Sequence, residues 1–477
     1  HFVGGRKEML LRGSKVASRV VTPLAQPTTF RAGCSMSPLL DFKRQKLRKQ
    51  WKVPDAPDAE FIIFPNERIG RQYDLNWTFN KYQVTPDEEA YRNLHLRGLQ
   101  MLTRGKIDKN KSISLTTQEA SDHEIFFLPS SKLVGEAKVV PMEAWKTAIR
   151  QVRARLSFQP EIFMHDGAIG ASRNSPKVRL MFNSAACALQ LHHLIPRVPL
   201  RHPNKFTHDV TGWMLDVNDF DFPGESFGIN TKNFTIVDIE SRRFITAGAL
   251  TQNVVRNSLS AVAGDFVNEN ESLWLNCDAV TDGEQTGLVF PVGGSSFASE
   301  KGNLELFAAR NTIWGPSGVA RAWNSYSLDH VPEHATKGDV VEKIGNATRF
   351  TSSLGPGRVS SHPKFALFVK EGADSVTSLT PAKAKELLVE DAGSVVSPSV
   401  DKTAFASRLE QFLKDNNTKC FLVNSKDSSK LATVVDDAFN GNVSTGSTTS
   451  TKSTSTKSTS ASSSTKASKP KTRKTKK

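Results

Sequence analysis

The chain has 477 residues, 38% of them hydrophobic and 23% charged, which suits a globular protein with a large buried core. No apolar run approaches the roughly 18–20 residues that a membrane-spanning helix needs, so we expect no membrane span. The formal net charge is +15. Residues 1–50 hold eleven Lys/Arg against two acids, and residues 444–477 hold nine Lys/Arg and no acid. Each of these arms therefore carries +9, which leaves −3 for the body between them.

Residues 1–53 form a basic N-terminal extension. The stretch Met9–Val21 has the composition of a basic amphipathic helix and resembles an organelle transit peptide, with an ordinary basic extension as the alternative. On this basis we expect the protein in the mitochondrial matrix. A second basic patch follows and is a candidate RNA-binding segment, made of Lys43, Arg44, Lys46, Arg48 and Lys49.

The body, residues 54–443, alternates strand-like and helix-like patterns, which predicts an α/β fold. Strands are predicted at Glu161–Met164, Val178–Phe182, Phe234–Ile239, Leu288–Phe290, Phe365–Val369 and Cys420–Val423. Helices are predicted at Pro141–Leu156, Ser184–Leu194, Thr380–Val389 and Lys402–Lys414. The Gly/Ser/Pro-rich stretch Ser352–Pro363 is typical of a loop.

Metal and nucleophile patterns are weak in the body. The four cysteines are far apart and form no metal-ligand spacing, so we expect neither a zinc site nor a disulfide framework. His192 and His193 are adjacent on a predicted helix and face apart, which favours ordinary core or surface histidines over a metal site.

The last segment, residues 444–477, is a Ser/Thr/Lys-rich tail with repeated TKSTS units. It has no aromatic residues to bury and cannot offset the entropy of ordering, so we expect it to be disordered when free. Its basic end is the second candidate RNA-binding segment, made of Lys469, Lys471, Arg473, Lys474, Lys476 and Lys477.

Several blocks of the body follow one family in order and spacing. Pro141–Pro199 contains a Trp-bearing helix, a strand, and the D-x-x-x-G-A pattern at Asp166, and it ends near I-x-P. The match continues at Gly228–Asn257 and at Trp274–Ala279. Two strand segments near the end of the body, Lys364–Val369 and Phe421–Asn424, complete it. Over roughly residues 60–443 the chain resembles the ATP-dependent phosphoenolpyruvate carboxykinases. The resemblance implies a two-lobed fold, with one lobe at residues 54–225 and the second at residues 226–443.

The resemblance fails at the nucleotide cradle. The family needs a glycine-rich loop with a lysine for the triphosphate and a hydroxyl for Mg²⁺. Here Gly287–Phe290 is followed by Pro-Val-Gly-Gly-Ser-Ser-Phe-Ala-Ser, which puts Phe297 at the lysine position and Ala298 at the hydroxyl position. Phenylalanine cannot neutralise the charge of a triphosphate and alanine has no atom to ligate Mg²⁺, so we expect no nucleotide cofactor.

The metal and substrate positions have changed as well. The resemblance places the family's ligating Lys and His at Asn257 and Asn276, and its ligating carboxylate near Arg310. A guanidinium at a ligand position repels a divalent cation. The family's substrate arginine falls on Ser378. Only Arg179 remains of the substrate contacts, and it fits a structural ion pair as well as a ligand.

These observations predict an inactive carboxykinase homologue with no catalytic residues, no metal and no small-molecule substrate. The basic arms favour a structural subunit of a mitochondrial ribonucleoprotein, foremost the mitochondrial ribosome, whose partners are rRNA and neighbouring proteins. Two alternatives stay open at this point: a supernumerary subunit of another mitochondrial complex, and a diverged but active phosphoenolpyruvate carboxykinase. A metabolite sensor that uses Arg179 in the old cleft is a third.

Overall fold

The structure is a computed structural model, and it describes residues 70–443 apart from short gaps. The gaps are residues 73–78, 80, 104–105, 108–112, 118–121, 135–136, 172–174, 198–205, 219, 293–304, 329–338, 345–346, 355–356, 371, 373–374, 391–400 and 425–427. Both basic arms lie outside the described residues, as do Phe297 and Ala298.

An eight-stranded mixed sheet forms the first layer. Its strands are β1 (Gly70–Gln72), β2 (Glu89–Arg92), β5 (Glu124–Phe127), β6 (Glu161–Ala168), β7 (Lys177–Phe182), β8 (Val210–Asp216), β9 (Phe234–Asp238) and β10 (Arg243–Gly248). Their spatial order is β1-β2-β6-β7-β8-β10-β9-β5, so the sheet takes strands from both sides of residue 225.

Helices cover both faces of this sheet. They are α1 (Leu96–Leu102), α2 (Met142–Ser157), α3 (Ala185–Leu194) and α4 (Gln252–Glu269). The apolar residues of α2 recur every three or four positions, from Ala144 to Leu156, and form one core with Met181 of β7. The neighbouring strand positions Leu180 and Phe182 point the other way, into the core built with α3 and α4.

A six-stranded sheet forms the second layer. Its strands are β12 (Asp278–Thr281), β13 (Thr286–Val292), β14 (Glu305–Ala308), β21 (Pro363–Lys370), β22 (Ser375–Leu379) and β23 (Lys419–Asn424), in the spatial order β14-β12-β13-β21-β23-β22. On one face Phe368 packs with α5 (Pro381–Glu390) and α6 (Lys402–Asp415). On the other face Leu367 packs with α7 (Ser428–Asn440), so this sheet too is buried on both sides.

Two smaller sheets complete the described part of the fold. One contains β11 (Leu273–Leu275), β15 (Thr312–Gly315), β16 (Gly318–Arg321) and β20 (Val359–Ser360), in the order β11-β15-β16-β20. The other contains β3 (Lys106–Ile107), β4 (Ile113–Thr117), β17 (Ser325–Leu328), β18 (Val340–Ile344) and β19 (Ala347–Ser353), in the order β17-β19-β18-β4-β3. A short 3-10 helix spans Gly224–Phe227.

The predicted α/β class is confirmed, since mixed sheets alternate with seven helices in the described part of the chain. All six predicted strands and all four predicted helices are present. Their bounds lie within two residues of the prediction except in β6, which continues to Ala168. The stretch Ser352–Pro363, predicted as a loop, also contains β20. The carboxykinase-like two-lobed arrangement and the division at residue 225 stay predictions.

None of the helices in the described residues is both long enough and apolar enough to cross a membrane.

Candidate functional site

Three of the residues that the resemblance assigned to the metal site lie on neighbouring elements. Asn257 is exposed on α4. Asn276 is half-buried in the link between β11 and β12, and Arg310 is exposed just after β14. These elements meet where the chain passes between the six-stranded and the four-stranded sheet.

The β11–β12 link and the β14–β15 link run antiparallel beside each other. β12 pairs with β14 on one side, and β11 pairs with β15 on the other. The hydroxyl of Thr312 donates to the Cys277 carbonyl at 2.9 Å, and the Arg310 backbone N–H donates to Asp278 Oδ1 at 2.5 Å. Asp278 is 2% exposed. Its carboxylate thus holds Arg310 in a left-handed conformation, with φ at 65°, that residues other than glycine rarely adopt.

A fourth residue, Arg256, enters this region from α4 and was not predicted. Its side chain is 4% exposed, and among the described residues its Nε and Nη2 atoms have no hydrogen-bond partner. Burial, together with the positive charges of Arg310 and Arg349, lowers its pKa to about 9, while Asp278 acts in the opposite direction. Even at this pKa the guanidinium stays charged at neutral pH.

Arg349 joins the same cluster from β19. With its amide oxygen turned toward β19, Asn253 of α4 accepts from Arg349 Nη1 and Nη2 at 3.2 and 3.0 Å. Asn253 lies one helical turn before Arg256. We call Arg256, Arg310 and Arg349, together with Asp278, the Arg256 cluster. Glu342 of β18 lies directly opposite Arg349 in the β18–β19 ladder and is 1% exposed, so a second carboxylate lies beside the cluster.

Ser378 lies away from the Arg256 cluster. It is exposed on β22, which forms one edge of the six-stranded sheet, whereas Arg310 follows β14 at the opposite edge. At the usual strand spacing the two edges are about 24 Å apart. The structure therefore does not bring Ser378 together with the other predicted positions.

Arg179 is engaged in a buried ion pair. It lies opposite Asp166 in the β6–β7 ladder, and both are at most 1% exposed. Arg179 Nε donates to Asp166 Oδ1 at 2.7 Å, and Arg92 Nε from β2 donates to Asp166 Oδ2 at 2.8 Å. Burial opposes ionisation of Asp166, but the two guanidinium groups outweigh it and lower the carboxyl pKa. Of the two roles predicted for Arg179, the structure shows the ion pair.

The histidines of α3 are not arranged as a metal site. The rings of His192 and His193 are 6.0 Å apart at 80° to each other, and His193 is buried. Burial, Arg197 and the neighbouring His165 and His193 lower the pKa of His192 to about 3. In the part of the chain that the structure describes, no group of three or more His, Cys, Asp or Glu side chains could hold a metal ion.

A surface groove of about 590 Å³ lies at the β5 edge of the eight-stranded sheet. Its charged groups bond one another or the groove wall: Lys138 Nζ donates to Glu124 Oε1 at 2.6 Å, and Asn233 Nδ2 donates to Asp122 Oδ1 at 2.5 Å. These bonds occupy charged side chains of the groove with partners from the protein itself.

One feature of the sequence could have revealed Arg256. In α4 the apolar positions Val255, Leu259 and Val262 recur at helical spacing, and Arg256 falls between them in a helix that is buried on most of its sides. A charged residue inside such a pattern is rarely buried without a partner. Asp278 and Arg349 carry no comparable pattern, because only the tertiary fold brings them to α4.

No protein-family model matches the chain, and a search among curated proteins finds no relative. The resemblance to the carboxykinases therefore stays a prediction from the residues.

Proposed function

We propose that the protein is a non-catalytic structural subunit of a mitochondrial ribonucleoprotein, foremost the mitochondrial ribosome. Its body would contact neighbouring proteins, and its basic arms would run along rRNA phosphates. The observation that carries the non-catalytic part is the set of side chains at the expected metal site. Where the resemblance expects a divalent cation, the ligand positions hold Asn257, Asn276 and Arg310, and a guanidinium in that place repels the cation.

The environment of Arg179 supports the same conclusion. An enzyme of this kind would need the guanidinium to face a carboxylate substrate, but here it is bound to Asp166 on its Nε and Nη2 atoms, at 2.7 and 2.9 Å. Its Nη1 atom donates to the Tyr82 hydroxyl at 3.1 Å. The guanidinium of Arg179 on β7 thus links β6 to the segment before β2 that contains Tyr82.

The ribonucleoprotein part rests on the placement of charge. Residues 1–50 and 444–477 together hold twenty Lys/Arg and two acids. Their combined charge of +18 exceeds the net charge of the whole chain, which is +15. Such segments bind phosphates through sequence-independent attraction and counterion release. The tail cluster contains no aromatic residue, and in the N-terminal cluster Phe42 and Trp51 only flank the basic run, so the contacts should lack base specificity.

The experiment that tests the proposal is gradient sedimentation of mitochondrial lysate with the protein tracked by mass spectrometry. We expect it to migrate with a ribosomal subunit and to leave that fraction after RNase treatment. Migration with a respiratory complex or the ATP synthase, unchanged by RNase, would favour the supernumerary-subunit alternative. Migration as a free protein near 52 kDa would overturn the proposal.

A second measurement addresses the active-enzyme alternative. Isothermal titration of the purified full chain with ATP in the presence of Mn²⁺ should give no heat of specific binding. Micromolar, metal-dependent binding would instead indicate a diverged carboxykinase.

A further inference from the structure

We propose that the protein forms a homodimer through β22, an edge strand of the six-stranded sheet, which pairs antiparallel with the same strand of a second copy. Helix α5 meets its own counterpart beside this strand pair. The surface belongs to the body of the protein, so the dimer does not depend on the ribonucleoprotein role or on the basic arms.

Strand β22 is a regular edge strand without the usual protection. It spans Ser375–Leu379, pairs with β23 without a register shift, and has no strand on its other side among the described residues. Its sequence, Ser-Val-Thr-Ser-Leu, contains no charged residue and no proline. Natural proteins protect an open edge with charges, prolines, bulges or very short strands, because the open edge pairs readily with another strand.

The other sheet edges in the described part of the chain are shorter or protected. β14 contains Glu305, and its register shifts beside β12. The outer side of β5 is bridged by Val139. The four-residue β17 lies against α4, since Ser327 Oγ donates to Gln252 Oε1 at 2.6 Å. The remaining edge strands, β1, β3, β11 and β20, have two or three residues. β22 is thus the longest open edge in this part of the chain.

The strand is accessible to a partner strand. Thr377 and Ser378 are neighbours whose side chains point to opposite faces of the sheet, and both are exposed. Antiparallel pairing centred on Thr377 overlaps all five residues of β22, with Val376 opposite Ser378 of the second copy. The same surface serves both chains, so the contact closes at a dimer and does not continue into a filament.

The charges of α5 favour a second copy as the partner. Lys383 is exposed near the N-terminal end of this helix, and Glu390 is exposed at its C-terminal end, two helical turns later on the same face. Within one helix this order is unfavourable, because the dipole favours acids at the N-terminus and cations at the C-terminus. A two-fold axis at the strand pair makes the two α5 helices antiparallel, which brings Lys383 toward Glu390 of the second copy.

Helix α5 supplies the area that the strand pair lacks. A specific interface buries roughly 1,200–2,000 Å², more than two short strands can provide. α5 begins two residues after β22 and contacts it, whereas α6, its neighbour in the helix layer, contacts β11. Val389 on α5 is 40% exposed, although it is a large apolar side chain. Contact between the two α5 helices would remove this side chain from water.

The test measures the mass of the full chain by light scattering over a range of concentrations, after RNase removes RNA that could bridge the arms. We expect about twice the 52.4 kDa of one chain, with a Kd on the order of 1 µM. Thr377→Lys puts two like charges opposite each other at the centre of the strand pair and should raise Kd about fivefold. Thr85→Lys, at an exposed threonine outside the six-stranded sheet, should leave Kd unchanged.

A charge exchange in α5 tests the orientation of the dimer. Lys383→Glu faces Glu390 of the second copy with a like charge and should raise Kd about tenfold. It also improves the fit to the helix dipole, so this loss would not reflect misfolding. Adding Glu390→Lys restores opposite charges and should return Kd to within about twofold of the natural value.

Two outcomes would overturn the proposal. A dimer whose Kd does not respond to Thr377→Lys would use another surface. A chain that stays monomeric at about ten times the expected Kd would show that β22 is left open or is covered by residues 391–400 of the same chain.

Discussion

Asp166 and Arg179 face each other across the β6–β7 ladder and form a two-point ion pair, with Nε–Oδ1 at 2.7 Å and Nη2–Oδ2 at 2.9 Å. Arg92 reaches the same carboxylate from β2. One carboxylate therefore ties three neighbouring strands of the eight-stranded sheet, β2, β6 and β7. Because it lies inside the sheet, its removal should destabilise the fold as a whole.

We predict that Asp166→Asn lowers the free energy of unfolding by about 3–5 kcal/mol, because it leaves two buried guanidinium groups without their shared anion. Urea unfolding followed by circular dichroism measures the loss. Glu124→Gln is the matched control, since it breaks the exposed pair with Lys138 by the same acid-to-amide change. The Glu124→Gln variant should lower the free energy of unfolding by about 0.5 kcal/mol. Equal losses in the two variants would contradict a special role for burial.

Stability should also depend on pH through His165. Burial lowers the pKa of this histidine to about 4, below the ordinary value of 6.5. Between these two values the unfolded chain binds a proton that the folded chain does not, so the stability falls as the pH falls through this window. From pH 6.5 to 4.5 the loss from this group is about 2 kcal/mol.

The variant His165→Gln removes the titrating group and should flatten the pH dependence by about that amount. Urea unfolding at several pH values between 6.5 and 4.5 gives the slope, and this window stays above the range where the depressed pKa of Asp166 contributes. His123 and His192, whose pKa values are lowered to about 4 and 3, should account for part of the remaining slope. An unchanged slope in His165→Gln would show that this histidine does not control acid stability.

The sequence predicts those strands and helices whose apolar residues form a clear pattern within the segment itself. The nearly continuous apolar run Val178–Phe182 reflects a strand that is buried on both faces, and the helical spacing in α2 reflects burial on one side. A single segment can reveal either pattern. Helix α4 is not predicted, because Val, Asn, Ser and Gly are poor helix formers. It forms nonetheless, since packing against the eight-stranded sheet and Trp274 overrides local propensity.

The candidate site is predicted only in part for the same reason. The sequence predicts an arginine at a position where the resemblance places a metal ligand, Arg310, and it predicts that no nucleotide cradle forms. The approach of Arg349 and Asp278 to Arg256 is not predicted, because it depends on how the tertiary fold brings β19 and the β11–β12 link to α4. The assembly role stays a prediction throughout, since the arms that suggest it lie outside the described residues.

Two glycine-to-alanine changes should act with opposite sign. Gly287 lies opposite Phe365 in the β13–β21 ladder, and a Cβ atom there would overlap the aromatic ring. Gly264 lies inside α4, where a Cβ atom would meet Trp274 Cγ at 3.6 Å, an ordinary contact. We expect Gly287→Ala to destabilise the fold by about 1–3 kcal/mol, and Gly264→Ala to stabilise it by about 0.5–1 kcal/mol.

Thermal unfolding of both variants beside the natural chain measures this difference. Each variant is the control for the other, because the chemical change is identical and only the surroundings differ. A lower Tm for Gly264→Ala would mean that α4 packs more tightly against Trp274 than the 3.6 Å distance indicates.

The tail should contribute to RNA affinity through charge alone. Replacing its basic cluster by glutamine removes six positive charges, at Lys469, Lys471, Arg473, Lys474, Lys476 and Lys477. For single-stranded RNA, the slope of log K against log salt should become shallower by about 0.7 for each RNA phosphate that the tail no longer neutralises. Filter binding of the full chain at several salt concentrations gives this slope.

The matched control replaces each lysine of the same cluster by arginine. This keeps the number of positive charges and changes only the type of cationic group. It should preserve the slope, because counterion release depends on the number of charges and not on the type of cation. A slope that is unchanged in the glutamine variant would remove the tail from the RNA-binding surface. A slope that also falls in the arginine variant would mean that the tail binds through lysine-specific interactions, which contradicts the purely electrostatic mechanism.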